Sequence, residues 1–112
     1  MTGYKKALRS DGSECIVHLL THESFLLPPV DGYQRTSFAT VIAIYDMDGN
    51  KIHEEAHSWI NPDFKYLTGA QCLVNPYKAG DDALNYVGIY FFSKREEAIS
   101  YEIPGNEMED KS

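Results

Sequence analysis

The sequence SFATVIAIYDMDGNKIHEEAHSW, at residues 37–59, carries the clearest indication of how this chain folds. Residues 37–45 are rich in β-branched and aromatic side chains, which is typical of a strand with at least one buried face. The turn residues 46–50 follow, and residues 51–59 then alternate between two faces as a second strand does. The stretch therefore predicts an antiparallel hairpin.

Strands are also predicted on both sides of this hairpin. Residues 4–9 and 14–20 flank an Asp-Gly turn signal at residues 10–13, so we expect them to pair as well. In the C-terminal half, residues 85–92 form the most strand-like segment. We expect this strand to sit centrally in the sheet.

Irregular structure is predicted in two places. Residues 21–34 contain two consecutive prolines and an Asp-Gly pair, which indicate a loop. Residues 75–82 form a second loop, and short extended pieces at residues 64–67 and 70–74 precede it.

A helix is predicted to follow the last strand. Ser93 stands three residues before Glu96, which is the capping-box pattern. We therefore expect a helix from residue 94 to about residue 102, with Ala98 and Tyr101 on its buried side.

These elements define the expected fold class as α+β, a mostly antiparallel sheet of five or more strands with one C-terminal helix. The length of 112 residues suits one globular domain, which we place at residues 1–103. Residues 104–112 are acidic and are expected to form a disordered tail.

The charge balance restricts the partners. Ten Lys and Arg residues against seventeen Asp and Glu residues leave a net charge of −7, which argues against direct binding to a nucleic-acid backbone. The chain has no apolar stretch long enough for a membrane span or a secretory signal, so we expect no membrane partner and a cytoplasmic location. In that compartment Cys15 and Cys72 are expected to be buried thiols.

Residues 53–57, HEEAH, match the His-Glu-x-x-His pattern of zinc hydrolases. That chemistry needs both histidines one helical turn apart, with the Glu activating the metal-bound water. On the predicted strand, His53 and His57 would lie about 13 Å apart, too far to share one ion. His18 and His22 repeat the spacing but cross into the proline-containing loop. We therefore expect a protein that is not an enzyme, with no catalytic residue, no metal and no cofactor. The alternative to this expectation is a small metal-dependent hydrolase that uses His53, Glu54 and His57.

Aromatic residues are the remaining functional signal, with eight Tyr, five Phe and one Trp in this short chain. Rigid amphipathic rings suit a binding surface, although a small β-rich core also uses rings to fill volume. The candidate ligand- or partner-binding residues, which lie near predicted loops or strand ends, are Tyr33, Trp59, Tyr66, Tyr77 and Tyr90.

Three motifs occur in an order that suggests a family. Residues 38–49 combine an Ala-x-Val strand with an Asp-Gly turn, residues 64–69 contain Tyr-x-x-Gly, and residues 88–98 read GIYFFSKREEA. This order resembles the uncharacterised domain that follows pentapeptide repeats in many phage and giant-virus proteins. The likeness covers roughly residues 5–101.

Two positions depart from that family pattern. Tyr90 stands where the family typically has a His, and Asn85 stands where it often has a Cys. A reactive His or Cys of the family therefore has no counterpart here, and the repeats are absent from this sequence.

The resemblance implies a viral accessory module with no established activity. We therefore expect a non-enzymatic, phage-type protein that binds and blocks a host protein in the host cytoplasm, for example as a counter-defence inhibitor. A variant of this expectation is sequestration of a small signalling nucleotide, with Tyr66, Tyr77 or Tyr90 stacking on its base.

The last expectation concerns assembly. The predicted strand at residues 86–92 has apolar or aromatic side chains on both faces, and the single helix can bury only one of them. Either a second layer from residues 4–20 or a second copy of the chain covers the other face. We expect a homodimer, because an uncovered aromatic face would exceed what monomers usually expose.

Overall fold

The computed structural model describes residues 1–30, 33–59, 63–73 and 88–103. These residues confirm the expected fold class, since they form mostly antiparallel sheet followed by one helix near the C-terminus. A short 3-10 turn, Glu23–Phe25, precedes the third strand. The other elements in chain order are β1 (Thr2–Arg9), β2 (Glu14–Leu20), β3 (Leu26–Val30), β4 (Tyr33–Thr36), β5 (Phe38–Asp46), β6 (Lys51–Ile52), β7 (Ala56–His57), β8 (Lys65–Tyr66), β9 (Gln71–Leu73), β10 (Ile89–Phe91) and α1 (Arg95–Ser100).

In the described ranges, the larger sheet has seven strands in the order β6-β5-β2-β1-β7-β8, with β9 also paired to β5. Its centre is the predicted hairpin of β1 and β2, which reverses at Gly12 with a φ of 88°. The carboxylate of Asp11 closes this turn by accepting hydrogen bonds from the Ser13 amide and hydroxyl, at 2.9 and 2.6 Å. Local turn chemistry therefore sets the register on which the rest of the sheet is built.

The predicted hairpin at residues 37–59 is only partly correct. Its second strand pairs with β5 through Lys51 and Ile52 alone. The chain then leaves β5, and β7 pairs with β1 on the opposite side of the sheet. Glu54 lies at this crossing and accepts a hydrogen bond from Arg9 Nε at 2.6 Å.

The smaller sheet has the order β10-β4-β3 and includes residues predicted to be a loop. Pro28 and Pro29 lie inside β3, at the edge of this sheet. An edge strand tolerates proline because the missing N–H removes no bond from the interior of the sheet. Arg35 of β4 donates from Nε to the Pro28 carbonyl oxygen at 2.6 Å.

The last strand is predicted to sit centrally, and this prediction is wrong for its described part. β10 lies at the end of the smaller sheet. It links the two sheets, because the backbones of Phe92 and Tyr4 exchange hydrogen bonds of 2.8 and 2.7 Å. Ile89 and Phe91 are buried in the core, and the Phe91 ring occupies the space that a side chain at position 3 would need. Residues of the same chain therefore bury the Ile89 and Phe91 side chains.

The helix forms close to its predicted place, but its cap differs. Lys94 is the N-cap residue and its side chain makes no cap hydrogen bond. The Ser93 hydroxyl, expected to act as the cap, instead accepts a hydrogen bond from the Gln34 amide. Ala98 is fully buried against the sheet, as expected.

Of the remaining expectations, the structure bears on the two cysteines but not on the predicted second loop or the predicted tail. Cys15 and Cys72 are both buried, as expected. The loop predicted at residues 75–82 and the acidic tail predicted at residues 104–112 lie outside the described residues. Among the helical residues that the structure describes, none belong to a segment long and apolar enough to cross a membrane.

Candidate functional site, an aromatic cluster

Five half-buried aromatic side chains meet where the smaller sheet joins β1 and the end of α1. They come from β4, the segment after β7, β10, the residue after β10 and the C-cap of α1. We call them the aromatic cluster, and they are Tyr33, Trp59, Tyr90, Phe92 and Tyr101.

Tyr33 and Tyr101 contact most of the other rings. The Tyr33 ring centroid lies 6.4 Å from that of Tyr90, 5.6 Å from that of Phe92 and 6.2 Å from that of Tyr101. Tyr101 also contacts Phe92 at 5.7 Å and Trp59 at 6.3 Å. Tyr33 packs edge against face on Phe92 and Tyr101, at 72° and 86°, an arrangement that the ring quadrupoles favour. The other three pairs are tilted, at angles from 48° to 57°.

The structure brings together three of the five predicted site residues, namely Tyr33, Trp59 and Tyr90. Tyr66 is elsewhere: it is 0% exposed in the interior and packs against Phe64 at 5.5 Å. Filling the core, which was the other explanation for the aromatic content, accounts for this ring. Tyr77 lies outside the described residues.

Sequence reasoning missed two members of the cluster, Phe92 and Tyr101. Phe92 follows Tyr90 by two positions, and residues at that spacing share one face of a strand, so this signal was present. Tyr101 was assigned to the buried side of a longer helix. It follows the last helical residue instead, where its ring turns towards Tyr33, Phe92 and Trp59.

Two buried lysines of β1 bind the backbone of the cluster. Lys5 is 5% exposed, and its Nζ donates to the Tyr90 carbonyl oxygen at 3.0 Å. Lys6 is also 5% exposed, and its Nζ donates to the carbonyl oxygens of Ile99 and Tyr101 at 2.9 and 2.6 Å. It also pairs with Glu14 at 3.3 Å. A buried ammonium group needs such partners because its desolvation is costly.

The HEEAH segment does not have the helical geometry that its motif requires. His53 to Glu55 are irregular, and His57 lies in β7, where its Nδ1 is 2.9 Å from the Ser58 carbonyl oxygen. Glu54 is bound to Arg9, and this hydrogen bond raises the pKa of the guanidinium. Across residues 1–30, 33–59, 63–73 and 88–103, no three His, Cys, Asp or Glu side chains are grouped so as to hold a metal ion.

Cys15 and His18 are not arranged as a nucleophile and its base. Burial raises the pKa of the Cys15 thiol to about 12, so the thiol stays protonated at neutral pH. His18 instead stacks on Tyr4, with ring centroids 4.4 Å apart and planes 3° from parallel. Desolvation lowers the pKa of His18, so its neutral form is favoured.

The fold and the cluster together define an α+β domain with a group of half-buried aromatic rings at the junction of its two sheets. The chain belongs to DUF5758, a family of unknown function, whose sequence pattern matches residues 1–98. The matched region includes four of the five cluster residues, and Tyr101 lies just beyond it. No curated protein and no solved structure matches this chain.

Proposed function

We propose that this chain is a non-enzymatic binding protein whose aromatic cluster contacts a partner protein. One observation carries the proposal: five rings from distant parts of the sequence converge at one place and all remain only half-buried. Tyr and Trp are the residue types that dominate the energetics of protein interfaces, because they bury large area at low entropic cost.

The ring geometry favours a protein over a nucleotide as the partner. A nucleotide base binds by stacking on an open ring face. In the cluster, the faces and edges of Tyr33, Phe92 and Tyr101 are already packed against one another at angles from 48° to 86°. A partner surface that meets the outer parts of the rings suits this arrangement better. Sequestration of a small signalling nucleotide is therefore the second candidate.

The non-enzymatic part of the proposal has its own support. The Cys15 thiol is protonated and fully buried, and Glu54 is bound to Arg9.

The proposal that the chain is a phage-type accessory protein, which blocks a host factor in the host cytoplasm, rests on the sequence resemblance. A homodimer is a further proposal, tested by light scattering at micromolar concentration: a mass of 12.7 kDa would contradict it.

The test compares a cluster variant with an aromatic variant elsewhere on the surface. Trp59→Ala removes one ring of the cluster, whereas Phe25→Ala removes a ring that is 40% exposed and packs on Phe38 instead. Each protein is used as bait in host lysate, and the captured proteins are quantified by mass spectrometry. We expect one protein to be captured by the wild type and by Phe25→Ala but not by Trp59→Ala. Equal capture by all three would contradict the proposal.

A thermal-shift screen against a panel of nucleotides separates the second candidate from the first. A ligand that binds only the folded state raises the melting temperature, and the stabilisation grows with the logarithm of the ratio of ligand concentration to Kd. We expect no response. A nucleotide that stabilises the wild type but not Tyr90→Ala would make sequestration the function.

A further inference from the structure

Lys5 and Lys6 are neighbours on β1, so their side chains leave the strand on opposite faces. Both are nevertheless 5% exposed, and both reach a backbone oxygen of the aromatic cluster. Lys5 binds the carbonyl of Tyr90 on one side, and Lys6 binds the carbonyl of Tyr101 on the other.

Lys6 binds two carbonyl oxygens at the end of α1. The last carbonyl groups of a helix lack partners within the helix and favour a nearby cation. The last turn of α1, all of which the structure describes, carries no basic residue. Lys6 supplies the cation from β1, at 2.9 Å from the Ile99 oxygen and 2.6 Å from the Tyr101 oxygen.

We propose that Lys5 and Lys6 are positioning residues for the partner-binding surface. They hold the backbones of Tyr90 and Tyr101 so that both rings pack on Tyr33 before a partner arrives. The surface is then preorganised, and binding does not have to order these two segments. The role in binding rests on the proposed function, but the arrangement of the rings can be measured without any partner.

Trp59 makes this arrangement measurable, since it is the single tryptophan of the chain and contacts Tyr101 at 6.3 Å. Its emission wavelength and its quenching by acrylamide report how far the indole is exposed to water. Lys6→Met keeps the apolar stem of the side chain and removes the ammonium group. We expect its Trp59 emission to move to longer wavelength and acrylamide quenching to increase.

Two matched variants separate positioning from general stability. Glu14→Gln removes the ion pair with Lys6 but leaves the bonds to the carbonyl oxygens, so its emission should match the wild type. Val17→Ala removes volume from the core at a residue that is 0% exposed. It should lower the melting temperature without moving the emission at temperatures where circular dichroism shows a folded protein.

Lys6→Met with unchanged emission would overturn the proposal, as would Val17→Ala with the same spectral change as Lys6→Met. If Lys6→Met does not fold, Lys5→Met is measured instead. It releases Tyr90, whose ring contacts reach Trp59 through Tyr33 and Tyr101, so we expect a smaller shift in the same direction. No shift in that variant would also overturn the proposal. If Lys6→Met shifts the emission and still captures the same protein as the wild type, the positioning role stands and the proposed binding surface is wrong.

Discussion

Tyr66 and Tyr101 are both tyrosines packed against other rings, yet they belong to two different kinds of structure. Tyr66 is fully buried in the core beside Phe64, where apolar packing holds it. Tyr101 is half-buried, and the Lys6 ammonium group holds its backbone. Ring content alone therefore does not locate a binding surface. Tyr101 keeps part of its surface exposed to a partner, whereas Tyr66 is 0% exposed.

The largest expected effect separates the two regions by stability. Tyr66→Ala leaves a cavity in the core and should lower the free energy of unfolding by about 3–5 kcal/mol. Trp59→Ala removes a half-buried ring and should cost about 1 kcal/mol. Urea denaturation of both variants measures the difference. Equal losses would show that the cluster is part of the core and would break the comparison.

Gly3→Ala tests the contact that joins the regions. A Cβ at this position would overlap the Phe91 ring, so the ring, or β10 with it, must shift, at a cost of about 1–3 kcal/mol. Because Tyr90 and Phe92 flank Phe91, the emission of Trp59 should change as well. Gly12→Ala is the control: its φ of 88° makes the substitution strained, but no atom lies within 4 Å of the added Cβ. It should lower stability and leave the emission unchanged, and the same spectrum in both variants would contradict the account.

Stability measured at alkaline pH tests whether water reaches the Cys15 thiol in the folded protein. The pKa of Cys15 is about 12 in the folded protein, against a value of 9.0 for an unburied thiol. Between these values the unfolded chain loses the thiol proton and the folded chain keeps it. The contribution of the Cys15 thiol to the free energy of unfolding is therefore complete below pH 9 and is lost as the pH rises towards 12. In that range the free energy of unfolding falls with a limiting slope of about 1.4 kcal/mol per pH unit.

Cys15→Ala should remove this slope, and Val17→Ala should retain it. Denaturation midpoints measured at a series of pH values above 9 give the comparison. Parallel profiles for the wild type and Cys15→Ala would show that water reaches this thiol in the folded protein.

The smallest effect is expected outside both regions, at the pair of Arg9 and Glu54. These side chains are 27% and 40% exposed, and ion pairs of this kind contribute little to stability. Glu54→Gln should leave the melting temperature nearly unchanged.

Zinc analysis of untagged protein should find far less than one equivalent. A full equivalent that His57→Ala loses would favour the hydrolase alternative.

The parts of the fold that could be predicted are those set by local chemistry. The hairpin of β1 and β2 follows from Asp11 and Gly12, and β5 follows from its β-branched residues. The strand at Leu26–Val30 could not be predicted, because its prolines are tolerated only at a sheet edge, and edge position is a property of the assembled sheet. The departure of the chain after Ile52 likewise depends on pairing with a strand more than forty residues earlier.

The candidate site shows the same division. Tyr33, Trp59 and Tyr90 could be named because they lie near strand ends and turns. Their convergence with Tyr101 could not be predicted, because the contact depends on where α1 ends and on a lysine at the other end of the chain. Periodicity predicts Tyr101 on a longer helix, whereas Tyr101 follows the last helical residue and its carbonyl oxygen binds Lys6.

The central claim is that a partner protein binds the aromatic cluster, and the emission of Trp59 tests it most directly. The captured partner is prepared so that it has no tryptophan fluorescence of its own, and it is then added to the wild type. A partner that covers the aromatic cluster excludes water from the indole. We expect the emission to move to shorter wavelength and acrylamide quenching to fall as the partner saturates. An unchanged spectrum at saturating partner would show that binding occurs elsewhere and would contradict the account.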